Sequence, residues 1–340
     1  MKSNLTIATI FATILISSVC SATDNKLAVN KVEGTLSVMV LGSGGPMATS
    51  AGRASAGYLI FTDGSPRVLM DVGGGTYQRL AESGVNIKDL DTVLLSHLHI
   101  DHTGDLSSVI KTVYFHNNIA GTSRIKPIDI HGPSENGIPF PKTAILQYPH
   151  TSDYVDGYYA MPNGVERYMN LFPTAISRGA SKFSYTVNDL ASKVNDADEQ
   201  EVLKAEDGLT ITAIAVDHGP VPALAFRVEY KGYSIVYSGD TGSRGPNMIT
   251  IAKNADLLIY DTAITDSLPA NPLFHVLHTP PTRIGEVAYA AKVKKLLLSH
   301  ITPITGARME EVKTAIRTKK YTGKIAIAKD LQVYNLSEKK

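Results

Sequence analysis

Short apolar runs alternate with turn residues in both halves of the chain. Each run is rich in Val, Ile, Leu, Tyr or Phe and is bounded by Gly, Asp, Asn or Ser, which is typical of β-strands. The predicted strands of the first half are Val38–Leu41, Tyr58–Phe61, Arg67–Asp71 and Val93–Leu95. Those of the second half are Leu209–Val216, Ala223–Tyr230, Tyr233–Tyr237, Leu257–Tyr260 and Leu296–Ser299.

Two segments between these strands are predicted helices. Thr76–Ser83 is followed by Gly84, which stands where a C-cap residue would end the helix. Ile284–Lys295 is the second candidate and lies between the last two predicted strands. Strands and helices that recur in both halves indicate a layered α/β fold, with sheets inside and helices outside.

The pattern weakens between residues 134 and 207. This segment shows no clear strand alternation and holds six of the 16 tyrosines, so we expect a loop-rich insertion. Long irregular insertions in compact domains often act as lids over active sites. A surface excursion with no catalytic role is the alternative that the sequence leaves open.

Composition and charge narrow the class of protein. With 340 residues and 43% apolar content, the chain can bury the core of a single elaborated domain. The formal net charge is +1, so no global field attracts nucleic acid or anionic membranes. The insertion carries 11 acidic and six basic side chains, which is unfavourable for RNA binding.

The first 22 residues are typical of a secretory signal peptide. Lys2 supplies positive charge, Leu5–Val19 is an uncharged and mostly apolar run, and Cys20–Ala22 offers small residues for cleavage. We expect cleavage, a mature domain over residues 23–340, and a periplasmic or secreted location, with an uncleaved anchor helix as the alternative. Cys20 is the only cysteine, so the mature protein has no disulfide and no thiolate ligand.

The chemistry is concentrated in one short segment after the strand Val93–Leu95. His97, His99, Asp101 and His102 place four ligand-type side chains within six residues. Alternation in an extended segment points His97 and His99 to one side, and the following turn can direct the other two toward a second ion. Imidazole nitrogen and carboxylate oxygen are zinc ligands. The segment therefore predicts a zinc site.

The sequence His97-Leu-His-Ile-Asp-His102 resembles the HxHxDH signature of the metallo-β-lactamase superfamily. Val68–Gly75 is similar to the strand whose terminal aspartate, here Asp71, supports the histidine loop. The later motifs of that family resemble Val216-Asp-His218, Ser238-Gly-Asp240-Thr and Leu298-Ser-His300. The resemblance covers nearly the whole mature chain and implies an αββα sandwich of the α/β class, with the loop-rich insertion added.

The resemblance also implies two zinc ions per chain and a role for each residue. One ion would be held by His97, His99 and His218, the other by Asp101, His102 and His300, with Asp240 bridging them. Asp101 would also orient the attacking hydroxide shared by the two ions. His278, which precedes a predicted helix, matches an additional active-site histidine of related nucleases and esterases and would protonate a leaving group.

The turn Leu41–Pro46 and the sequence around Asp240 resemble the ribonuclease Z and arylsulfatase branch of the superfamily. Antibiotic-degrading members usually lack an aspartate at the bridging position. Given the export signal, the hypothesis is an exported arylsulfatase that hydrolyses aryl sulfates. The alternatives are a periplasmic phosphodiesterase on aryl or cyclic phosphodiesters, a lactonase, and a non-catalytic metal-binding module. We expect a small-molecule ester substrate, no nucleic-acid partner and no stable membrane anchor after cleavage; a homodimer stays open.

Overall fold

The computed structural model describes residues 31–87, 90–119, 127–139, 148–160, 164–167, 169–170, 184–194 and 198–337. The predicted signal peptide lies outside the described residues, as do several parts of the predicted insertion. No helix in the described ranges combines the length and the apolar character needed to cross a membrane.

Two seven-stranded sheets form the centre of the fold. The first sheet contains β1 Leu36–Gly42, β2 Gly57–Thr62, β3 Ser65–Val72, β4 Thr92–Leu94, β5 Ile128–Pro133, β6 Tyr185–Leu190 and β14 Val333–Leu336, in the order β14-β1-β2-β3-β4-β5-β6. The second contains β7 Gln200–Lys204, β8 Thr210–His218, β9 Val221–Tyr230, β10 Tyr233–Tyr237, β11 Leu257–Asp261, β12 Lys295–Ser299 and β13 Lys324–Ile327, in the order β13-β12-β11-β10-β9-β8-β7.

Helices cover the outer faces of both sheets. They include α1 Thr76–Ser83, α2 Ile100–Thr103, α3 Leu106–Ile119, α4 Thr151–Tyr159, α5 Asn247–Ile251, α6 Pro272–Leu277, α7 Pro281–Ala290, α8 Pro303–Gly306 and α9 Met309–Arg317. The predicted helix Thr76–Ser83 is confirmed, and Gly84 ends it with a φ of 63°. The predicted helix Ile284–Lys295 instead spans Pro281–Ala290, because Pro281 occupies the first turn and Lys292 adopts a positive φ.

Side chains of β1 show how the layers are built. Val38 and Val40 belong to the apolar cluster shared by the two sheets, whereas Met39 and Leu41 belong to the cluster that includes helices of the first sheet. A third cluster joins the second sheet to α5, α7 and α9. Successive strand residues point to opposite faces, so each sheet packs on its partner with one face and on helices with the other. The predicted αββα sandwich is confirmed.

The segment 134–207 contains more regular structure than its sequence indicates. It supplies α4 and adds β6 and β7 as edge strands of the two sheets. The residues of β6 are half-buried or exposed, so its sequence does not show the apolar run by which a buried strand is recognised. The segment was expected to be loop-rich because no clear strand alternation is visible in its sequence; the described part contains two strands all the same, and the role of a lid stays a prediction.

Parallel strand pairs set the position of the functional side chains. β3 pairs with β4 in the first sheet, and β10, β11 and β12 pair in parallel in the second. The carboxyl ends of parallel strands meet at one edge of a sheet, which is where such folds hold their ligands. Asp71, Asp261 and His300 lie at or directly after these strand ends.

Candidate metal centre

Asp71 holds the histidine loop in place. It lies one residue before the end of β3 with a φ of 53°, and its carboxylate is fully buried. Asp71 Oδ1 accepts the backbone N–H of Ser96 and Oδ2 accepts the Ser96 hydroxyl, each at 2.7 Å. His102 Nδ1 lies 2.6 Å from Asp71 Oδ2. The bond to Nδ1 leaves Nε2 of His102 free to face the centre.

The first donor set consists of His97, His99 and His218, whose ring nitrogens lie within 4.8 Å of one another. His99 Nδ1 is 3.0 Å from His97 Nε2 and 3.5 Å from His218 Nε2. Nitrogens bound tetrahedrally to zinc at about 2.0–2.1 Å lie about 3.4 Å apart, so this spacing suits a zinc ion. His218 Nδ1 donates to the carbonyl of Leu277 at 2.7 Å, which directs Nε2 toward the other two rings.

Burial keeps the first donor set neutral. It lowers the pKa of His97 well below its ordinary value and lowers the pKa of His218 to about 4. Burial also lowers the pKa of His99. Neutral imidazoles have a lone pair available for a metal, so the protonation state of this set suits metal binding.

The second donor set consists of Asp101, His102, Asp240 and His300. Asp240 Oδ1 lies 3.4 Å from His102 Nε2, and Asp240 Oδ2 lies 3.3 Å from His300 Nε2. His300 Nε2 is also 3.2 Å from Asp101 Oδ2. All four donor atoms converge on one position between the carboxyl ends of the strands.

Three atoms of the second set make no hydrogen bond. Among the described residues, His102 Nε2, Asp240 Oδ1 and His300 Nδ1 are buried without a hydrogen-bond partner, and the first two lie 3.4 Å apart. A buried polar atom without a partner destabilises the protein by about 1–3 kcal/mol, so native sites leave such atoms for an ion, a water molecule or a ligand. The donor chemistry therefore fits a zinc ion held by imidazole and carboxylate.

Electrostatics in the second set favour positive charge. Although burial opposes ionisation, the neighbouring rings of His102 and His300 hold the pKa of Asp101 well below its usual range. Burial likewise opposes the charge on His300, but the Asp240 carboxylate raises the pKa of His300 to about 10. Protons and metal ions compete for the same nitrogens, so a set that attracts protons also attracts cations.

Gly239 permits Asp240 to enter the centre. It follows β10 with a φ of 57°, and a Cβ there would lie 2.7 Å from the carbonyl oxygen of Leu224 and 2.9 Å from Ser96 Cβ. Only glycine fits this turn without displacing backbone. The turn places Asp240 between His102 and His300; that it bridges two ions stays a prediction.

Asp261, the last residue of β11, also belongs to the centre, although its sequence context did not predict this. Asp261 Oδ2 lies 2.8 Å from His278 Nδ1, and Oδ1 lies 3.4 Å from His300 Nδ1. The sequence signal that could have identified Asp261 is a buried apolar strand that ends in aspartate. Asp71 lies in a similar position, one residue before the end of its strand. Donor atoms of Asp240, Asp261, His278 and His300 also lie within 4.8 Å of one another, so this group is a further candidate ligand set.

His278 lies beside both donor sets. Its ring centroid is 5.6 Å from those of His218 and His300. Because Asp261 engages Nδ1, Nε2 is the nitrogen left for a substrate or an ion. Burial opposes its charge, but the Asp261 carboxylate raises the pKa of His278 above its ordinary value. Its predicted role as a proton donor is compatible with this geometry and stays a prediction.

Comparisons with known proteins agree on the fold. A family model described as Beta-lactamase superfamily domain matches residues 163–301, and one described as Anti-Pycsar protein Apyc1 matches residues 36–126. Ribonuclease Z of Mycobacterium bovis (strain BCG / Pasteur 1173P2) is 28% identical over 305 residues, which cover 87% of this chain and 96% of that protein.

Two solved structures resemble the chain over most of its length. The short form of human tRNase Z superposes with a TM-score of 0.60 at 19% identity and covers 88% of this chain and 99% of its own. The metallo-beta-lactamase fold protein YhfI from Bacillus subtilis superposes with a TM-score of 0.59 at 21% identity, with the same two coverages. At these identities the two structures show the fold.

The prediction of an arylsulfatase is wrong, whereas export of the chain stays a prediction. The relative that matches 87% of the chain is a ribonuclease Z, a name that implies phosphodiester hydrolysis. Glycine-rich turns such as Leu41–Pro46 are required by the backbone conformation of the fold. The sequence resembles ribonuclease Z and arylsulfatases alike at this turn, so the turn does not indicate which of the two ester types is the substrate. The expectation of no nucleic-acid partner rested on the acidic insertion and conflicts with the activity named for this relative.

Proposed function

Because this chain belongs to the metallo-β-lactamase superfamily and is a metal-dependent hydrolase, we propose that the bond it hydrolyses is a phosphodiester. The name of the Mycobacterium bovis relative supports a phosphodiester over a sulfate ester. The observation that carries the proposal is the pair of adjacent donor sets, the second of which holds His102 Nε2 and Asp240 Oδ1 buried without a hydrogen bond.

The metals in this proposal are two zinc ions, one in each donor set. When bound, zinc would lower the pKa of a water ligand to about 7 and neutralise charge on phosphate oxygens. A phosphodiester carries one negative charge, and the centre offers it imidazoles and cations together. The chain contributes the orientation of the donors through Asp71 and through the carbonyl of Leu277, which hold His102 and His218 by their Nδ1 atoms.

His278 and Asp261 supply the proton in this proposal. Asp261 accepts a hydrogen bond from His278 Nδ1 at 2.8 Å, which fixes the ring and stabilises its charged form. The Asp261 carboxylate raises the pKa of His278 above its ordinary value, which favours the protonated ring. That proton neutralises the departing ester oxygen as its bond to phosphorus breaks, a contribution that typically reaches about 100- to 10,000-fold in rate.

Metal dependence and bond preference can be tested together. Protein stripped with a chelator is titrated with zinc, bound zinc is counted by mass spectrometry, and each sample is assayed on bis(4-nitrophenyl) phosphate, a transfer RNA, 4-nitrophenyl sulfate and a homoserine lactone. We expect no hydrolysis without metal and full phosphodiester hydrolysis at two zinc ions per chain. Cleavage of the lactone without any phosphodiester hydrolysis would contradict the proposal.

The same assay separates two classes of phosphodiester. Hydrolysis of the transfer RNA would indicate that this chain shares the substrate class implied by the names of its relatives. Hydrolysis of bis(4-nitrophenyl) phosphate with an intact transfer RNA would indicate small phosphodiesters instead.

A further inference from the structure

An apolar cavity of about 280 Å³ adjoins the metal centre. Its walls come from the loop after β1, the loop after β11, helix α6 and the segment that follows His300. The residues that line it include Met47, Ile264, Phe274 and Ile304.

The cavity is continuous with the catalytic groups. His278 forms part of its wall, and the His278 ring stacks at 5.6 Å on His300 of the second donor set. Gly45 lies on the same wall, where a Cβ would be 3.1 Å from His300 Cε1. A group attached to a phosphate at the metal centre would therefore enter the cavity directly beside the proposed proton donor.

The lining of the cavity disfavours a charged ligand. Of the described residues that form the cavity, none is Asp, Glu, Lys or Arg, and His278 is the only titratable side chain. The Thr302 hydroxyl already donates to the carbonyl of Ala263 at 2.7 Å. An RNA strand requires cationic side chains along its phosphates, and this lining offers none for that purpose. An uncharged apolar group is the occupant that this lining stabilises.

Size and exposure support such an occupant. An apolar cavity of about 150 Å³ is enough to hold benzene, so 280 Å³ accommodates an aromatic ring or a branched alkyl group. Met47 and Phe274 are 66% and 41% exposed, which leaves apolar surface that a bound ring would cover. Covering apolar surface is favourable in proportion to the area removed from water.

We propose that this cavity binds an apolar ester group, aryl or branched alkyl, of a phosphodiester whose phosphate lies at the metal centre. The inference rests on the proposed function, because it assigns the phosphate to the donor sets. It makes the cavity a determinant of specificity for one arm of the diester.

Competitive inhibition by two phosphonates tests the assignment. Phenylphosphonate and methylphosphonate share the anionic group and differ in the part that would enter the cavity. With zinc-loaded protein and bis(4-nitrophenyl) phosphate as substrate, phenylphosphonate should inhibit at least about tenfold more tightly, because burial of a phenyl-sized group is worth at least that factor.

Two variants change the cavity, and one neighbouring variant serves as the control. Ile304→Trp fills the space and Phe274→Ala removes one wall, so both should reduce the preference for phenylphosphonate while the inhibition constant of methylphosphonate stays unchanged. Leu273→Ala alters an exposed side chain of the same helix that does not line the cavity, and it should keep the full preference.

The possible outcomes distinguish failure of the proposed subsite from failure of the proposed phosphodiester hydrolysis. Equal inhibition constants in the wild-type protein, or a full preference in Ile304→Trp, would overturn the proposed subsite, and so would loss of the preference in Leu273→Ala. A lack of phosphodiester hydrolysis would instead count against the proposed function. In that case the dissociation constants of the two phosphonates, measured by calorimetry on the zinc-loaded protein, test the cavity without turnover.

Discussion

Tyr237 donates a hydrogen bond of 2.7 Å to Asp71 Oδ2, and this bond joins the two sheets behind the metal centre. Tyr237 is the last residue of β10 in the second sheet, whereas Asp71 belongs to β3 in the first. The same carboxylate oxygen lies 2.6 Å from His102 Nδ1. The orientation of a predicted metal ligand in one sheet therefore depends on a hydroxyl group of the other.

Tyr237→Phe should weaken zinc binding at the second donor set by about tenfold, because groups that orient metal ligands typically contribute about 10- to 100-fold in affinity. Competition with a chromogenic chelator measures the two zinc affinities. The matched control is Tyr58→Phe, which removes the hydroxyl bonded to Ser299 at 2.6 Å and whose ring packs 4.7 Å from that of Tyr237. Equal weakening in both variants would attribute the effect to packing between the sheets.

His218→Ala and His278→Ala should separate ligand from proton donor. The first removes a nitrogen of the first donor set, so the protein should bind about one zinc fewer and lose hydrolysis. The His278→Ala variant should keep two zinc ions, and only its rate of hydrolysis should fall. The zinc content of each variant is measured by mass spectrometry, and the hydrolysis rate is measured on the same samples. Equal loss of metal in the two variants would indicate that His278 is a metal ligand. Its donor atom lies within 4.8 Å of those of Asp240, Asp261 and His300, which would allow that role.

The sequence predicts the sandwich and most of the donor residues because these features are local. His97, His99, Asp101 and His102 crowd one loop, and the strands that carry His218, Asp240 and His300 are apolar runs with clear ends. Asp261 is different. It gains its role from His278 and His300, which the topology brings beside it from 17 and 39 positions away. Strand β6 was missed because none of its residues is buried, so its sequence contains no apolar run.

The substrate was the least predictable feature. Sulfate and phosphate esters are both tetrahedral anions that a metal ion attracts, so the donor set does not distinguish them. The apolar cavity beside His278 is assembled from segments on both sides of the donor residues, between Gly45 and Ile304. Such a lining is set by tertiary packing and leaves no contiguous motif in the sequence.

Export by the N-terminal segment is a further proposal that can be tested directly. If residues 1–22 form a cleaved signal peptide, expression of the full chain in a bacterial host should yield protein outside the cytoplasm that begins at Thr23. N-terminal sequencing of the periplasmic fraction and of the medium checks this. The control is a chain with Leu5→Arg and Ile10→Arg, which interrupts the apolar run. Identical distribution of the two proteins would exclude the signal peptide.

Gly239→Ala should destabilise the fold and weaken zinc binding at the second donor set. Alanine at a positive φ costs about 1–2 kcal/mol, and here its Cβ would also press on the carbonyl of Leu224. Gly232→Ala is the matched control, since its φ is 83° and nothing lies within 4 Å of its Cβ position. The drop in Tm should be clearly larger for Gly239→Ala, and Gly232→Ala should keep its zinc. Equal drops would mean that only the backbone angle matters.

The proton-donor role of His278 predicts a dependence on the leaving group. A phenol with a pKa near 10 or below departs with little assistance, whereas an alkoxide requires a proton as its bond to phosphorus breaks. His278→Gln should therefore slow hydrolysis of a diester with an alkyl leaving group by about 100-fold or more and that of bis(4-nitrophenyl) phosphate far less. Asp261→Asn should shift the rates in the same direction but by a smaller factor, because it leaves the ring in place without its carboxylate partner. Rates on a series of diesters, plotted against leaving-group pKa, measure the effect for zinc-replete samples. An equal loss of rate across the series would show that His278 acts on the centre as a whole and not on the departing oxygen.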